Sequence, residues 1–424
     1  MPQNELLLRR AEELVREMEQ VLAQLRAELT SQGSAVAPKS EPMPHPDDEA
    51  SVHDAQSRSR YSARDVAWRV VLVVVLFCAI EAAAFHTRFY ANQLRPDTTA
   101  GSMLMTLTLE QNRKLAGPNQ VLAVGDSRMG IRTRVTDRLA PETGYTLANI
   151  ATPGAYPRCW YYMLREVDPD RNRYAAVVVP VPELEDDDWG DYSSSEVDLH
   201  YLVPLLRVSD AYDFSRSFPT WKLRWRALRA VFLKGLSYNV DFQDLLSNYE
   251  SRAKALQWNR EELGRTRYNY HGPTKSVAGL QVDWAAHKIT QYPPDSTDSE
   301  RHELASQLLR PTAIYTGGRA IYRRLWFGRI INYYRGSRTH VIFLRMPRGP
   351  VVRPYPFSTK SSVLREFAAH GQAILLDEHT FDELERPELF MDHMHLNEAG
   401  CERFSELLAR AVGSALGLPR RAGS

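Results

Sequence analysis

The sequence is poor in cysteine. Only Cys78, Cys159 and Cys401 occur in 424 residues, and no two form a CxxC pair. That excludes a structural zinc site and a scaffold built on disulfides. A charge of one sign is also missing: 53 basic residues against 52 acidic ones leave a formal net charge of +1. General electrostatic attraction to nucleic acid is therefore absent, and no nucleic-acid partner is expected. There is no internal repeat. The acidic run at 186–188 has no ligand spacing around it, so neither a metal nor a cofactor is expected. Apolar material is not lacking: at 43% hydrophobic the chain can bury a core, which rules out wholesale disorder.

What is present divides the chain into four segments. Leu7, Ala11, Leu14, Met18, Val21 and Leu25 alternate spacings of four and three, the a/d seam of a heptad repeat. A coiled-coil helix is expected over residues 1–33, pairing two copies through residues 7–25; the alternative is a lone amphipathic helix. Residues 34–62 are rich in Pro, Ser, Asp and Glu and read as a disordered linker. Residues 66–86 then form an apolar run close to the roughly 20 residues that span a bilayer. Arg69 can snorkel at one end, and Trp68, Phe85 and Tyr90 suit the interfaces. Glu81 is the main feature that favours a buried soluble helix instead. Arg58, Arg60, Arg64 and Arg69 precede the run's core, whereas only Arg88 and Arg95 follow closely. The positive-inside rule thus places the N-terminus in the cytoplasm and the rest outside it, on the periplasmic side of the inner membrane in a bacterial cell.

Residues 95–424 are expected to be the working domain. Apolar β-type runs occur at 121–124, 146–150, 175–181, 340–344 and 373–376, and helical patterns follow most of them. The alternation implies an α/β fold, a five-stranded parallel sheet flanked by helices. A stretch over about 185–335 is too long for a connection, and reads as a mainly helical insertion.

Chemistry-bearing residues fall at the ends of these strands. The first runs directly into Gly125-Asp126-Ser127. A serine at a strand-to-helix turn stands at the carboxyl edge of the sheet, where backbone N–H groups can hold an oxyanion. Alone, the tripeptide reads equally as a turn with an N-capping serine. Far downstream lies Asp392-His393-Met394-His395-Leu396-Asn397-Glu398-Ala399-Gly400. An Asp three residues before a His can hold its Nδ1–H, which leaves Nε2 as a base for the serine. His393 competes but is expected to point elsewhere. The loop also reads as a surface turn ending in an Asn397 helix cap.

Taken together, the Gly-Asp-Ser turn and the Asp-x-x-His-Leu-Asn-x-x-Gly segment resemble the SGNH/GDSL hydrolase superfamily over about 118–415, the insertion excepted. The resemblance implies a flavodoxin-like five-stranded sheet and an acyl-enzyme mechanism, with Ser127 as nucleophile, His395 as base and Asp392 as its orienting partner. It also implies backbone N–H oxyanion donors at Ser127 and at Gly154, in Asn149-Ile150-Ala151-Thr152-Pro153-Gly154. The family's third block usually supplies an Asn as a further donor. Here that place holds Val179-Pro180-Val181-Pro182-Glu183-Leu184, with no Asn. Arg128 and Arg345 are the candidate substitutes. A degenerate third block behind a membrane anchor looks like extracytoplasmic O-acyltransferases and esterases acting on surface polysaccharides. Golgi-anchored plant polysaccharide O-acetyltransferases are a poorer match, since their disulfides are missing here.

The expected function is serine-dependent acyl transfer or ester hydrolysis on an extracytoplasmic glycan or acylated small molecule. A lipid esterase or thioesterase is one alternative. A catalytically inactive membrane scaffold with an SGNH-like binding domain is the other. Trp160, Tyr161, Tyr162, Trp189, Trp221, Trp225 and Trp258 suit either sugar rings or the packing of a cap. Cys159 and Cys401 can brace two loops as a disulfide or stand as buried thiols; the thiols are favoured.

Overall fold

The computed structural model describes residues 63–113, 119–129, 144–182, 184, 195–266, 274–310, 318–354 and 362–417. The coiled-coil helix expected over 1–33 and the linker over 34–62 lie outside the described residues.

The first described helix, α1 (Ala63–Phe85), contains the apolar run. Its residues 67–85, with a mean hydropathy of 2.2, are long and apolar enough to cross a membrane. Val70, Leu72 and Val75 are exposed, so no other described residue covers this part of the run. The end of α1 is different. Glu81 is buried, and its carboxylate accepts the Gly235 N–H at 2.9 and 3.2 Å. Phe85 and Tyr90, which the sequence suggested would suit an interface, also have partners within the protein. They join Tyr238 and Phe242 in an aromatic cluster with edge-on and tilted contacts. Glu81 is therefore not evidence against a span. It is the point where the helix is fastened to the rest of the protein.

Seven strands follow among the described residues: β1 (Gln120–Ala123), β2 (Thr146–Asn149), β3 (Ala176–Val181), β4 (Gln281–Asp283), β5 (Lys288–Gln291), β6 (His340–Arg345) and β7 (Ile374–Leu375). Five form one sheet, all parallel, in the order β2-β1-β3-β6-β7. Parallel strands need crossover helices, which cover both faces and bury every side chain between them. β1 and β3 accordingly have no exposed residue. Leu122, Val124, Val177 and Phe343 point into one core. Val121, Ala123, Val178 and Ile342 point into the other.

Helices α2 (Thr99–Asn112) and α3 (Pro157–Val167) cover the first face. The inner side of α4 (Trp221–Phe232) adds Leu223, Ala227, Ala230 and Val231 to that core. Helix α5 (Gly318–Tyr334) packs there through Tyr322, Trp326 and Phe327. It lies within the expected insertion, yet it belongs to the layer that covers the sheet. Helix α6 (Glu398–Ala415) covers the second face with Cys401, Phe404, Leu408 and Val412. The remaining strands, β4 and β5, pair antiparallel as a hairpin the sequence did not announce.

Cys159 and Cys401 are buried in different cores and are not joined in a disulfide. Arg158 and Asp198 form an ion pair with no exposed side-chain surface, at 3.1 Å. The Arg158 guanidinium also donates to the Ser217 carbonyl at 3.0 Å and stacks 3.7 Å above Phe218. This pair ties α3 to the helix Val197–Leu202. Removing one partner leaves a buried charge uncompensated. Asp198→Ala is expected to cost about 3–5 kcal/mol in urea unfolding of the micelle-bound chain, and the Arg158→Met/Asp198→Leu pair far less. Equal losses in both variants would show that the pair is not what holds the two helices together.

Candidate active site

β1 and β3 are neighbours, while the next strands of the same sheet, β2 after β1 and β6 after β3, lie on opposite sides of the pair. Such a reversal opens a crevice at the carboxyl edge, where open α/β sheets bind ligands. Ser127 stands at this crevice, four residues beyond the last residue of β1. The chain turns at Gly125, with φ +150, and a Cβ there would lie 2.7 Å from Pro180 and 2.9 Å from Met129. Only glycine fits so close an approach. Asp126 closes the turn: its carboxylate accepts the Arg128 N–H at 2.9 Å. From β2, the buried Asn149 side chain donates to the Met129 carbonyl at 2.6 Å. The helix expected from Arg128 onward is a turn as far as Met129, and 130–143 lie outside the described residues.

The second half of the site is the loop before α6. A β-bridge between Phe390 and Leu396 closes it at its base. Asn397 caps α6, accepting the Gly400 N–H at 3.0 Å and donating to the Glu388 carbonyl at 2.8 Å. A Cβ on Gly400 would strike the Leu389 carbonyl at 2.2 Å, so the start of the helix can approach only with glycine there. Inside this frame Asp392 accepts the backbone N–H groups of Met394 and His395 at 2.8 and 2.7 Å. Its other oxygen lies 2.7 Å from His395 Nδ1. His395 Nε2 then lies 2.8 Å from Ser127 Oγ. The structure thus brings Ser127, His395 and Asp392 into one hydrogen-bonded line across 268 residues of sequence.

Electrostatics favour a charged Asp392. Burial raises its pKa, but the hydrogen bonds from His395 and the two backbone N–H groups outweigh this and hold it below the ordinary value. With Nδ1 donating to that carboxylate, Nε2 is left to accept the serine proton. His393 sits beside the triad. Burial lowers its pKa, which favours the neutral ring, and neither ring nitrogen has a hydrogen-bond partner among the described residues. It does not compete for Ser127.

Gly154 lies in an exposed turn after β2, with φ +72. The Thr152 N–H donates to the Gly125 carbonyl at 2.9 Å, which ties this loop to the serine turn. The Tyr201 hydroxyl donates to the Pro153 carbonyl from the other side. Neither the Ser127 nor the Gly154 N–H donates to another described residue. Two backbone donors are therefore available on adjacent loops.

The two candidate substitute donors are placed otherwise. Arg128 binds both carboxylate oxygens of Asp126, at 2.6 Å in the closest contact. Arg345 is buried at the end of β6. It pairs with Asp382 and with Glu385, the latter at 2.7 Å, and donates to the Glu378 carbonyl at 2.8 Å. Its guanidinium braces the loop after β7 and is not offered to the site. Of the third block, Glu183 lies outside the described residues.

Sequence reasoning passed over Tyr156, which is half-buried between Gly154 and α3. Burial, then the Asp198 and Asp126 carboxylates, push its hydroxyl up, which places it in the field of the serine turn. Its position directly after the Gly154 turn was the available signal. Among the described residues no group of His, Cys, Asp and Glu could hold a metal ion. No family model, curated protein or solved structure matches the chain.

An activated serine reacts with a fluorophosphonate. Labelling is expected at Ser127, slowed about 10²–10⁴-fold by His395→Ala and little changed by His393→Ala, read by intact mass. Equal slowing in both variants would mean that the pairing seen here is not the reactive one.

Proposed function

We propose that this protein performs serine-dependent acyl-ester chemistry. The observation that carries the reading is the line Asp392–His395–Ser127, with bonds of 2.7 and 2.8 Å. Such a line, fixed by backbone hydrogen bonds before any substrate arrives, has no structural task that a simpler loop would not serve. It does have a chemical one.

In the proposed reaction Ser127 Oγ attacks the ester carbonyl carbon as His395 Nε2 takes its proton. The carbonyl oxygen becomes an oxyanion, for which the Ser127 and Gly154 N–H groups are the proposed donors. Collapse breaks the ester C–O bond, and His395 returns the proton to the leaving alkoxide. The acyl group is then on Ser127. Water or a sugar hydroxyl attacks the acyl carbon and gives its proton to His395; the bond to Ser127 Oγ then breaks, and His395 returns that proton to Oγ. Asp392 stabilises the imidazolium formed in each half.

The triad residues are part-exposed: His395 shows 28% and Asp392 31% of side-chain surface. An open site of this kind suits an ester on a large, polar carrier. The proposed substrate is therefore an acylated glycan. We place the catalytic unit outside the cytoplasm, with α1 crossing the membrane and the N-terminus inside; the bias of arginines toward the N-terminal side of the run supports this orientation.

The test uses the full chain in micelles. p-Nitrophenyl acetate turnover is expected in the wild type and not in Ser127→Ala. Asp392→Asn is expected to lower kcat by about 10⁴-fold, because Nδ1 then loses its anionic partner. An oligosaccharide that acquires acetyl would assign transfer over hydrolysis. Absence of turnover in the folded wild type would move the reading to a binding scaffold.

A further inference from the structure

Residues 214–240 contain six basic side chains, Arg216, Lys222, Arg224, Arg226, Arg229 and Lys234, and no acidic one. In a chain of net charge +1 this is a local concentration of one sign. Helix α4 lies at its centre. With its inner side in the core, its outer side presents Trp221, Trp225 and Phe232 to solvent at 73%, 61% and 46% exposure. Leu236 and Val240 continue the stripe at 49% and 73%. Lys222 and Arg229 are exposed among them. These tryptophans therefore do not pack a cap onto the sheet. An exposed apolar stripe of this size marks an interaction surface. Tryptophan mixed with Lys and Arg is the composition of a helix lying in the headgroup region of a bilayer.

Its place in the fold selects the partner. The Gly235 N–H that Glu81 accepts belongs to the chain immediately after α4. His86 Nε2 lies 3.2 Å from the Phe232 carbonyl oxygen. Phe85 stacks on Tyr238 at 6.3 Å between centroids. The end of the apolar run is thus built into the corner where the stripe continues toward Val240. Where that run leaves the hydrocarbon, the stripe is brought to the level of the headgroups.

We propose that the outer side of α4 and the adjoining Leu236 and Val240 form a second membrane contact, seated on an anionic leaflet, with Trp221 and Trp225 among the headgroups and Lys222 and Arg229 on lipid phosphate. The proposal rests on the reading of residues 67–85 as a membrane span. It turns a tethered catalytic unit into one fixed in height and orientation over the bilayer.

The test uses the full chain carrying Trp68→Phe, in vesicles of phosphatidylcholine and phosphatidylglycerol brominated near the glycerol end of the acyl chain. Bromolipid is expected to quench part of the tryptophan emission, and Trp221→Phe/Trp225→Phe is expected to remove that part while Ser127 labelling is unchanged. Quenching that is the same in the double variant overturns the proposal. A second copy of the chain on the stripe would also overturn it. Disulfide-linked dimers of Trp225→Cys, in a Cys78→Ser background at low protein-to-lipid ratio, would reveal that copy. Extraction by alkaline carbonate reads the span separately. Protein stripped from the vesicles refutes the span, whereas retained protein without quenching at Trp221 and Trp225 refutes only the stripe.

Discussion

A parallel sheet contains no hairpins. Each strand must be followed by a crossover to the opposite edge, so all five strands deliver their carboxyl ends to one rim. In this chain the rim receives Ser127 after β1 and the Gly154 turn after β2. After β7 it receives the loop that holds Asp392 and His395. Ser127 and His395, which meet there, are 268 residues apart in sequence. The buried sheet is the constraint from which the rest follows: it sets the rim, and the rim assembles the site. The loops then need only local bonds to aim their side chains. Asn149 supplies one for the serine turn, and Asn397 and the Phe390–Leu396 bridge supply those for the histidine loop.

Much of this was legible before any coordinates. Both cores press on the sheet, so its strands are written as unbroken apolar runs, and a run such as Val177-Val178-Val179 has few other readings. The Asp392–His395 pair was legible because three residues is the reach of one turn. Other features were hidden for physical reasons. β4 and β5 consist mainly of exposed or half-exposed residues, so no periodic apolar signal marks them. Arg345 stood beside the rim and looked available. Its partners lie 37 and 40 residues further on, at a distance no local spacing reports. Glu81 looked like a flaw in a membrane helix because its partner, Gly235, is 154 residues away. Trp221 and Trp225 could be assigned a face only once the inner side of α4 was known.

The ion pairs around the site divide the work of charge. Arg345 and Arg348 both bind Glu385, and so clamp the loop after β7 without entering the site. Arg128 is different, since its partner Asp126 stands next to the nucleophile. Burial alone would raise the pKa of Asp126. Arg128, with a further contribution from His395, more than reverses this, so the carboxylate stays charged within the field of the imidazole. A negative charge there supports the imidazolium of the proposed mechanism, as Asp392 does from the other side.

That arrangement bears on the oxyanion donors of the proposed mechanism. β3 ends in Val179-Pro180-Val181-Pro182, and a proline offers no N–H to an oxyanion. Pro180 is nevertheless required where it is, because its ring fills the space that Gly125 leaves open. Absence of one such donor typically costs about 10²–10³ in rate. Arg128 cannot restore it while it grips Asp126 at 2.6 Å. In the proposed mechanism the Ser127 and Gly154 N–H groups are left to hold the charge. A site with two donors stabilises the tetrahedral intermediate less in both half-reactions, so its selectivity depends more on how firmly each acyl donor and acceptor is held. Under the two proposals above, the exposed face of α4 would hold the catalytic unit at one height over the bilayer and so supply part of that hold by position.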